Sequence, residues 1–312
     1  MNIIINAVFP LFALILLGFI AGRRRLLGPG AVDSLNKFVV WMALPALLFQ
    51  AMAGITWEQI NQPGYLAAFS LAIALVFLVS YFLDTRRAGR RADASLEALA
   101  ASYANAGFMG FPLCLMVFGP ESLPAVVIAT LLTACVLFAL TIILIEFDLQ
   151  GAGHLGTTLR KVGRSVLRNP LVAAPLAGSV VAVLGWDTPD ALNEFLTLLG
   201  AAASPCALIT IGLFLAQGER AEQPGTVGRI VFLKLLLHPA LTYVLAFHVF
   251  SMPPLWAAVA VLLASLPVGT GPFMLAKLYN REAAVTSRAI LLSTLLSLLT
   301  VSLLVAWLGP AS

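Results

Sequence analysis

Charged side chains are scarce in this sequence. Of its 312 residues, 10% are charged and 61% are hydrophobic, and the mean hydropathy is +0.99. A soluble domain is about a quarter charged and close to half apolar. The shortfall of charge is too large for a soluble core, so the composition predicts an all-α integral membrane protein surrounded mostly by lipid.

The N-terminus also lacks charge. No charged side chain precedes the three arginines at positions 23–25, whereas a cleavable signal peptide carries basic residues ahead of its apolar run. This order predicts a first spanning helix that begins outside the cell.

Cysteine is nearly absent as well. Cys114, Cys135 and Cys206 each lie in an apolar stretch, and none belongs to a C-x-x-C pair. We interpret them as small buried hydrophobic residues, and we expect no metal and no cofactor. The sequence has no H-E-x-x-H motif and no pair of membrane aspartates, so an intramembrane enzyme is disfavoured.

The sequence does contain ten apolar runs, each long enough to cross a hydrocarbon core of about 30 Å. All 18 Lys and Arg lie in or beside alternate links between these runs, and the opposite links carry only acids. This is the positive-inside pattern, and it explains the net charge of +4 without a nucleic-acid partner. It predicts both termini outside the cytoplasmic membrane. The predicted spans are 2–21, 33–53, 63–84, 96–118, 123–146, 166–185, 190–217, 228–250, 254–279 and 282–308.

The charges that mark the two sides are specific. Arg90 and Arg220 belong to predicted cytoplasmic links. The acids of the predicted outer links are Glu58, Glu121, Asp187, Asp190 and Glu194.

The two halves of the chain are related by a shift of about 160 residues. Chance is the alternative explanation, since Gly and Pro are common in membrane helices. Because five is an odd number of helices, the second repeat would enter the membrane from the side opposite to the first, as in many secondary transporters. We therefore predict repeats at 1–146 and 166–312, joined by a cytoplasmic linker at 147–165. The matched pairs are Pro10 with Pro170, Gly18 with Gly178, Pro45 with Pro205, Gly107 with Gly269, and Phe111 with Phe273.

Two spans carry Gly/Pro clusters at corresponding places, at 105–112 in the fourth span and 267–272 in the ninth. Proline removes a backbone donor, and glycine lowers helix propensity. Paired interruptions of this kind point to a transporter site. Simple kinks, with their freed carbonyls satisfied by neighbouring helices, are the alternative.

Unwinding at both clusters would have a chemical consequence. Each resumed half-helix begins near mid-membrane with unsatisfied N–H groups and a partial positive charge. Two such starts would form an anion site without a buried Arg or Lys, with Asn105 as an amide donor and Thr270 as a weaker one. The predicted substrate-binding residues are Asn105, Gly107, Gly110, Pro112, Pro267, Gly269, Thr270 and Pro272. Pro45 and Pro205 are assigned to scaffold helix breaks, and a place in the site wall is the alternative.

The ninth-span stretch from Leu266 to Phe273, continuing from Ala276 to Asn280, resembles the corresponding helix of the auxin efflux carriers. Asn105, Met109-Gly110 and Pro112-Leu113 resemble their other crossover helix. The plant carriers with a long regulatory loop between the halves differ, because the link here is about twenty residues.

This resemblance implies two inverted five-helix repeats and a scaffold that often forms a homodimer. It also implies a transport unit in which helices 4 and 9 cross, and elevator-type carriage of organic anions. Asn105 would meet the substrate carboxylate, and Pro112 and Pro267 would lie at the crossing. Members of prokaryotic size are linked to small dicarboxylates such as malate or malonate.

Few ionisable residues lie deep in the predicted spans. Glu97, Glu146, Lys234 and Lys277 are expected near cytoplasmic ends, where long side chains reach water. His238 lies deeper, as a proton relay or a neutral interhelical hydrogen-bonding group. No acid falls at a predicted midplane, which argues against a cation antiporter.

The sequence therefore favours a secondary carrier of small organic anions that is export-capable and driven by the membrane potential. A cation- or proton-coupled antiporter or symporter is the alternative. A channel or a receptor would not need paired broken helices.

Overall fold

The computed structural model describes residues 2–28, 30–56, 61–88, 91–150, 155–217 and 223–308. These residues are helical apart from short connections and one isolated antiparallel bridge between Ala104 and Val268. Helices satisfy their own backbone hydrogen bonds, which a lipid environment requires. Glu58, Arg90 and Arg220 fall outside the described residues, so their predicted sides are not addressed.

The described chain contains six helices that are long and apolar enough to cross a membrane, and four shorter apolar helices. Large apolar side chains face outward, as Val183 at 80% exposure and Trp186 at 66% illustrate. The protein is thus an all-helical membrane protein, and the count of ten spans stays a prediction.

The helices are numbered here in chain order. The α-helices are α1 (Asn2–Arg23), α2 (Ala31–Phe38), α3 (Leu44–Ala53), α4 (Pro63–Ala88), α5 (Arg91–Ser102), α6 (Phe111–Phe118), α7 (Leu123–Leu131), α8 (Phe138–Gln150), α9 (Leu155–Arg168), α10 (Pro170–Leu184), α11 (Asp190–Ala201), α12 (Ala203–Gln217), α13 (Pro224–Phe232), α14 (His238–Tyr243), α15 (Pro254–Ser265), α16 (Gly271–Leu278) and α17 (Ala284–Leu308). The π-helical segments are Val39–Ala43, Ala106–Gly110, Leu132–Leu137, Leu233–Leu237 and Val244–Val249, and Pro120–Ser122 is a 3-10 turn.

The link predicted at 147–165 differs from the structure. A separate helix, α9, occupies most of it, and the next apolar helix begins at Pro170 instead of 166. Asn169 has an extended backbone and its side chain accepts a 2.9 Å hydrogen bond from the amide of Leu171. An Asn N-cap followed by Pro is a strong helix start, so a new helix begins at this point.

The prolines assigned to scaffold breaks both lie in a first helical turn. Pro45 follows the π-helical segment Val39–Ala43, and the second helix continues through it from α2 to α3. A wider turn accommodates a residue that cannot donate to the helix ladder. Pro205 lies in α12, just after the helix is interrupted at Ala202.

Two helix pairs form the closest backbone packing in the bundle, α1 with α12 and α3 with α10. A Cβ added at Gly18 would lie 2.3 Å from the carbonyl oxygen of Ile209, and one at Gly178 would lie 2.4 Å from that of Phe49. Glycine permits such an approach between membrane helices. The shift of 160 residues that pairs Gly18 with Gly178 also pairs Phe49 with Ile209.

Candidate functional site

The two interruptions predicted from the sequence meet in space. The amide of Asn105 donates to the carbonyl of Pro267 at 3.0 Å, and the amide of Gly269 donates to the carbonyl of Tyr103 at 3.1 Å. These bonds form the bridge between Ala104 and Val268. The broken helices therefore satisfy part of their freed backbone by crossing each other, as buried irregular backbone requires.

Four helix ends surround this crossing. Helix α5 ends at Ser102 and the chain becomes helical again at Ala106. Helix α15 ends at Ser265 and α16 begins at Gly271. A side chain from a third element supports the crossing, since Ser293 Oγ accepts from the amide of Val268 at 3.0 Å. Two helix starts, each with free amides, thus lie beside the bridge.

The glycines near the crossing are required by the ring of Tyr103. A Cβ added at Gly269 or Gly271 would lie 2.8 Å from a carbon of this ring. The ring is held on its other side by an edge-on contact with Phe138, with 6.3 Å between ring centroids. The aromatic residue therefore occupies the space that side chains at 269 and 271 would need.

The resemblance places Pro112 at the crossing, whereas the structure places it in a helix beyond the bridge. Pro112 is buried in the first turn of α6, seven residues after Asn105. The chain passes through Gly110 to Pro112 as helix, because the π-helical segment Ala106–Gly110 runs into α6. Pro267 does lie at the crossing, where its carbonyl accepts the Asn105 amide.

A cavity of about 630 Å³ extends from the crossing to the surface. Asn105, Gly107 and Thr270 line it, and the side chain of Asn105 is 6% exposed. The crossing therefore presents Asn105 and both resumed half-helices to a cavity that opens at the surface.

The other predicted site residues do not line this cavity. A Cβ on Gly110 would lie 2.7 Å from a methyl group of Leu263. Pro112, Pro267, Gly269 and Pro272 likewise lie outside the cavity wall. They shape the crossing instead of facing the cavity.

Sequence reasoning missed the hydroxyl groups of the cavity wall. Thr130 and Thr133 line it, and each hydroxyl donates to a carbonyl of its own helix, at 2.8 Å to Val126 and 2.9 Å to Ala129. The signal was available, because a T-x-x-T spacing places both hydroxyls on one helical face. Tyr103 also lines the cavity, and its role follows only from the tertiary contact with the two glycines.

Polar pairs lie where the cavity reaches the surface. Lys37 and Asp33 form an exposed ion pair at 2.7 Å, and the hydroxyl of Tyr279 donates to the Glu146 carboxylate at 2.7 Å. The second contact joins the end of α16 to α8. All four residues line the cavity.

Lys234 was expected to reach cytoplasmic water, and this expectation is wrong. It lies ten residues beyond the start of α13, or roughly 15 Å along the helix axis, and its exposure is 0%. Its ammonium group donates to the carbonyl of Ala264 at 2.6 Å. The packing of segment Leu233–Leu237 against α15 and α5 turns the side chain inward.

His238 is also fully buried. Neither ring nitrogen has a hydrogen-bond partner among the described residues, so the expected interhelical hydrogen bond is not found there. The nearest aromatic contact is Phe69, with 6.2 Å between ring centroids.

A second polar cluster lies on the side that the charge pattern assigns to the cytoplasm. Arg229 pairs with Asp84 and, at 3.2 Å, with Glu97, so Glu97 meets an arginine where it was expected to reach water. Between α16 and α17, Arg281 pairs with Asp93, including an Nε bond of 2.7 Å. That hydrogen bond raises the pKa of the Arg281 guanidinium.

Comparison with known proteins identifies the class of molecule that carries this crossing. The family described as membrane transport protein matches residues 3–305. The chain belongs to the auxin efflux carrier family of membrane transport proteins. The carrier is accordingly an integral membrane transporter and not an enzyme, and the resemblance to this family is confirmed.

Three relatives show how far the similarity extends. A protein named "Putative malonate transporter" from Rhizobium meliloti (strain 1021) is 31% identical over 303 residues, which cover 96% of this carrier and 94% of that protein. Auxin efflux carrier component 8 from Arabidopsis thaliana is 25% identical over 351 residues, or 95% of each chain. Uncharacterized transporter YfdV from Escherichia coli (strain K12) is 27% identical over 239 residues, or 75% of this carrier and 76% of that protein.

Proposed function

We propose that this carrier moves small carboxylates of the size of malonate across the cytoplasmic membrane. The observation that carries the proposal is the crossing itself, where two half-helix starts, at Ala106 and Gly271, lie at a cavity lined by Asn105. Helix starts bind anions through free amides and the helix dipole. The similarity to the malonate transporter named above supports a carboxylate as the cargo.

The charges of the cavity support binding by helix ends. Lys37 is the one Lys or Arg among its described lining residues, and it pairs with Asp33 at the surface. In this proposal, the two helix starts and the Asn105 amide attract the anion. A volume of about 630 Å³ falls in the usual range for small-molecule sites and leaves room for water around a small diacid.

The proposal includes a fold of two inverted five-helix repeats, 1–146 and 166–312. The equivalent contacts of Gly18 with Ile209 and Gly178 with Phe49 support it, because two repeats should pack their matching helices alike. In this proposal α1, α3, α10 and α12 belong to a scaffold that forms the homodimer, and the crossing belongs to a transport unit that moves against it.

A second cavity supports alternating access. It has a volume of about 580 Å³ and is lined in part by Gln50, Glu121 and Trp256. The charge pattern assigns the link that contains Glu121 to the outside, and it assigns Lys37 at the mouth of the first cavity to the cytoplasm. Cavities toward both faces of the membrane suit a transport unit that alternates between them. The same charge pattern places both termini outside in this proposal.

The direction of transport follows from charge. A dianion that moves without a compensating ion carries charge across the membrane, and the potential contributes about 2.3 kcal/mol per charge per 100 mV. An inside-negative potential therefore favours export. Proton coupling through His238 is the second candidate. Both of its ring nitrogens are buried without a hydrogen-bond partner among the described residues, so one of them is able to bind a proton.

Counterflow in proteoliposomes tests the function. Vesicles loaded with unlabelled malonate should accumulate labelled malonate transiently, at equal pH and zero potential, and protein-free vesicles should not. The same assay with succinate, malate and a monocarboxylate defines the cargo class. Absence of counterflow with every acid in folded, reconstituted protein would contradict the proposal. A requirement for a proton gradient that His238→Gln abolishes would favour the second candidate.

A further inference from the structure

The buried lysine of the eighth span plays no part in the site described above. Lys234 lies ten residues, or roughly 15 Å, from the start of the apolar span Pro224–Val249, with an exposure of 0%. In the part of the chain that the structure describes, no carboxylate lies within salt-bridge distance of its ammonium group. An unpaired buried charge is costly, so its retention calls for a reason.

The contact that Lys234 makes ties it to the crossing. Ala264, whose carbonyl accepts the 2.6 Å bond, is the penultimate residue of α15 and precedes Pro267 by three residues. Carbonyls in the last turn of a helix have no partner in the helix and carry the negative end of its dipole. A protonated lysine suits such a position.

The acids on the helices packed against segment Leu233–Leu237 are already paired. Asp84 and Glu97 pair with Arg229, which lies five residues before Lys234. Among the helices packed against segment Leu233–Leu237, α15 contributes no ionisable side chain and α17 contributes Arg288. The anion in the crossing is then the natural counter-charge for this lysine.

We propose that Lys234 is a fixed positive charge of the transport unit, which offsets one negative charge of the carried anion during the crossing of the membrane. This inference rests on the proposed function. A carrier loaded with a dianion moves with a net charge of −1 and returns empty with +1. The charge moved in a full cycle is still that of the dianion. The membrane potential, however, acts on a net charge of −1 in the loaded step, instead of −2 without the lysine.

The test separates the loaded step from the empty one. In homoexchange, with malonate on both sides, the carrier crosses only when loaded, so the voltage dependence of the exchange reports the charge of the loaded carrier. We expect Lys234→Met to make the logarithm of the exchange rate about twice as steep in the imposed potential. Removing a buried charge in favour of an apolar side chain of similar length is often neutral or stabilising, so folded protein is expected.

Lys277→Met is the matched control. Lys277 is exposed and lies over the ring of Phe273 on α16, so its loss should leave the slope unchanged. An unchanged slope in Lys234→Met would overturn the proposal, because the buried lysine would then be neutral. Loss of exchange or of assembly in both Lys234→Met and Lys234→Gln would also overturn it, in favour of a structural prop for α15. Absence of exchange by the wild type would contradict the proposed function instead.

Discussion

At the scale of single residues, the proposed site depends on Asn105. Its backbone amide holds the crossing through Pro267, and the residue lines the cavity. Any residue except proline can make the backbone hydrogen bond at this position. Substitution by alanine therefore removes only the side-chain amide. A substitution can therefore separate binding from folding.

We expect Asn105→Ala to weaken malonate binding without unfolding the carrier. Loss of one hydrogen bond to a charged group costs about 1.5–3 kcal/mol, or roughly a ten- to hundredfold rise in Kd. Titration calorimetry on purified protein measures the change. Asn193→Ala is the control, since the Asn193 side chain bonds to Thr188 and Asn193 does not line the first cavity. Equal affinity in wild type and Asn105→Ala would remove Asn105 from the site.

Gly269 tests the role of the Tyr103 ring. We expect Gly269→Ala to reduce the transport rate strongly, because its Cβ would lie 2.8 Å from the ring and displace it into the cavity. Gly228→Ala should be tolerated, since a Cβ at Gly228 meets nothing within 4 Å. Normal transport by Gly269→Ala would show that the ring is free to move. Trimming the ring in a Gly269→Ala/Tyr103→Leu variant should recover part of the rate.

At the scale of helices, the sequence predicted the broken elements well and their details less well. The Gly/Pro clusters located both interruptions, since proline and glycine act on the backbone of their own segment. Pro112 lies inside the continuous helix Ala106–Phe118, because the preceding π-helical segment makes a wider turn that accommodates a residue without a backbone donor. The burial of Lys234 and the position of Thr130 and Tyr103 in the cavity wall depend on packing against neighbouring helices. The sequence pattern within one span does not encode that packing.

Equivalent glycines test the repeat. We expect Gly18→Ala and Gly178→Ala to lower the free energy of unfolding by similar amounts, about 1–3 kcal/mol as for overpacked sites, because each Cβ would meet a backbone carbonyl on the matching helix. Thermal unfolding in detergent measures this effect. Gly228→Ala, at an open helical position, should be neutral or slightly stabilising. A large loss at one glycine with none at the other would argue against equivalent packing.

At the scale of the whole molecule, the alternation of charge along the sequence predicts the topology. We expect a cysteine placed beside Asp187 to react with an impermeant thiol reagent from outside, and one beside Arg164 to react only after permeabilisation. The background must lack Cys114, Cys135 and Cys206, because Cys135 lines the first cavity and Cys206 is partly exposed. The reverse pattern of labelling would overturn the orientation.

In the proposed mechanism, helix ends bind a carboxylate, which then crosses the membrane without a compensating ion. Net efflux of labelled malonate from proteoliposomes tests this claim most directly, with equal pH on both sides and the potential set by potassium and valinomycin. We expect an inside-negative potential to accelerate malonate efflux relative to zero potential, and an inside-positive potential to slow it. Efflux that ignores the potential and requires a pH gradient would contradict it.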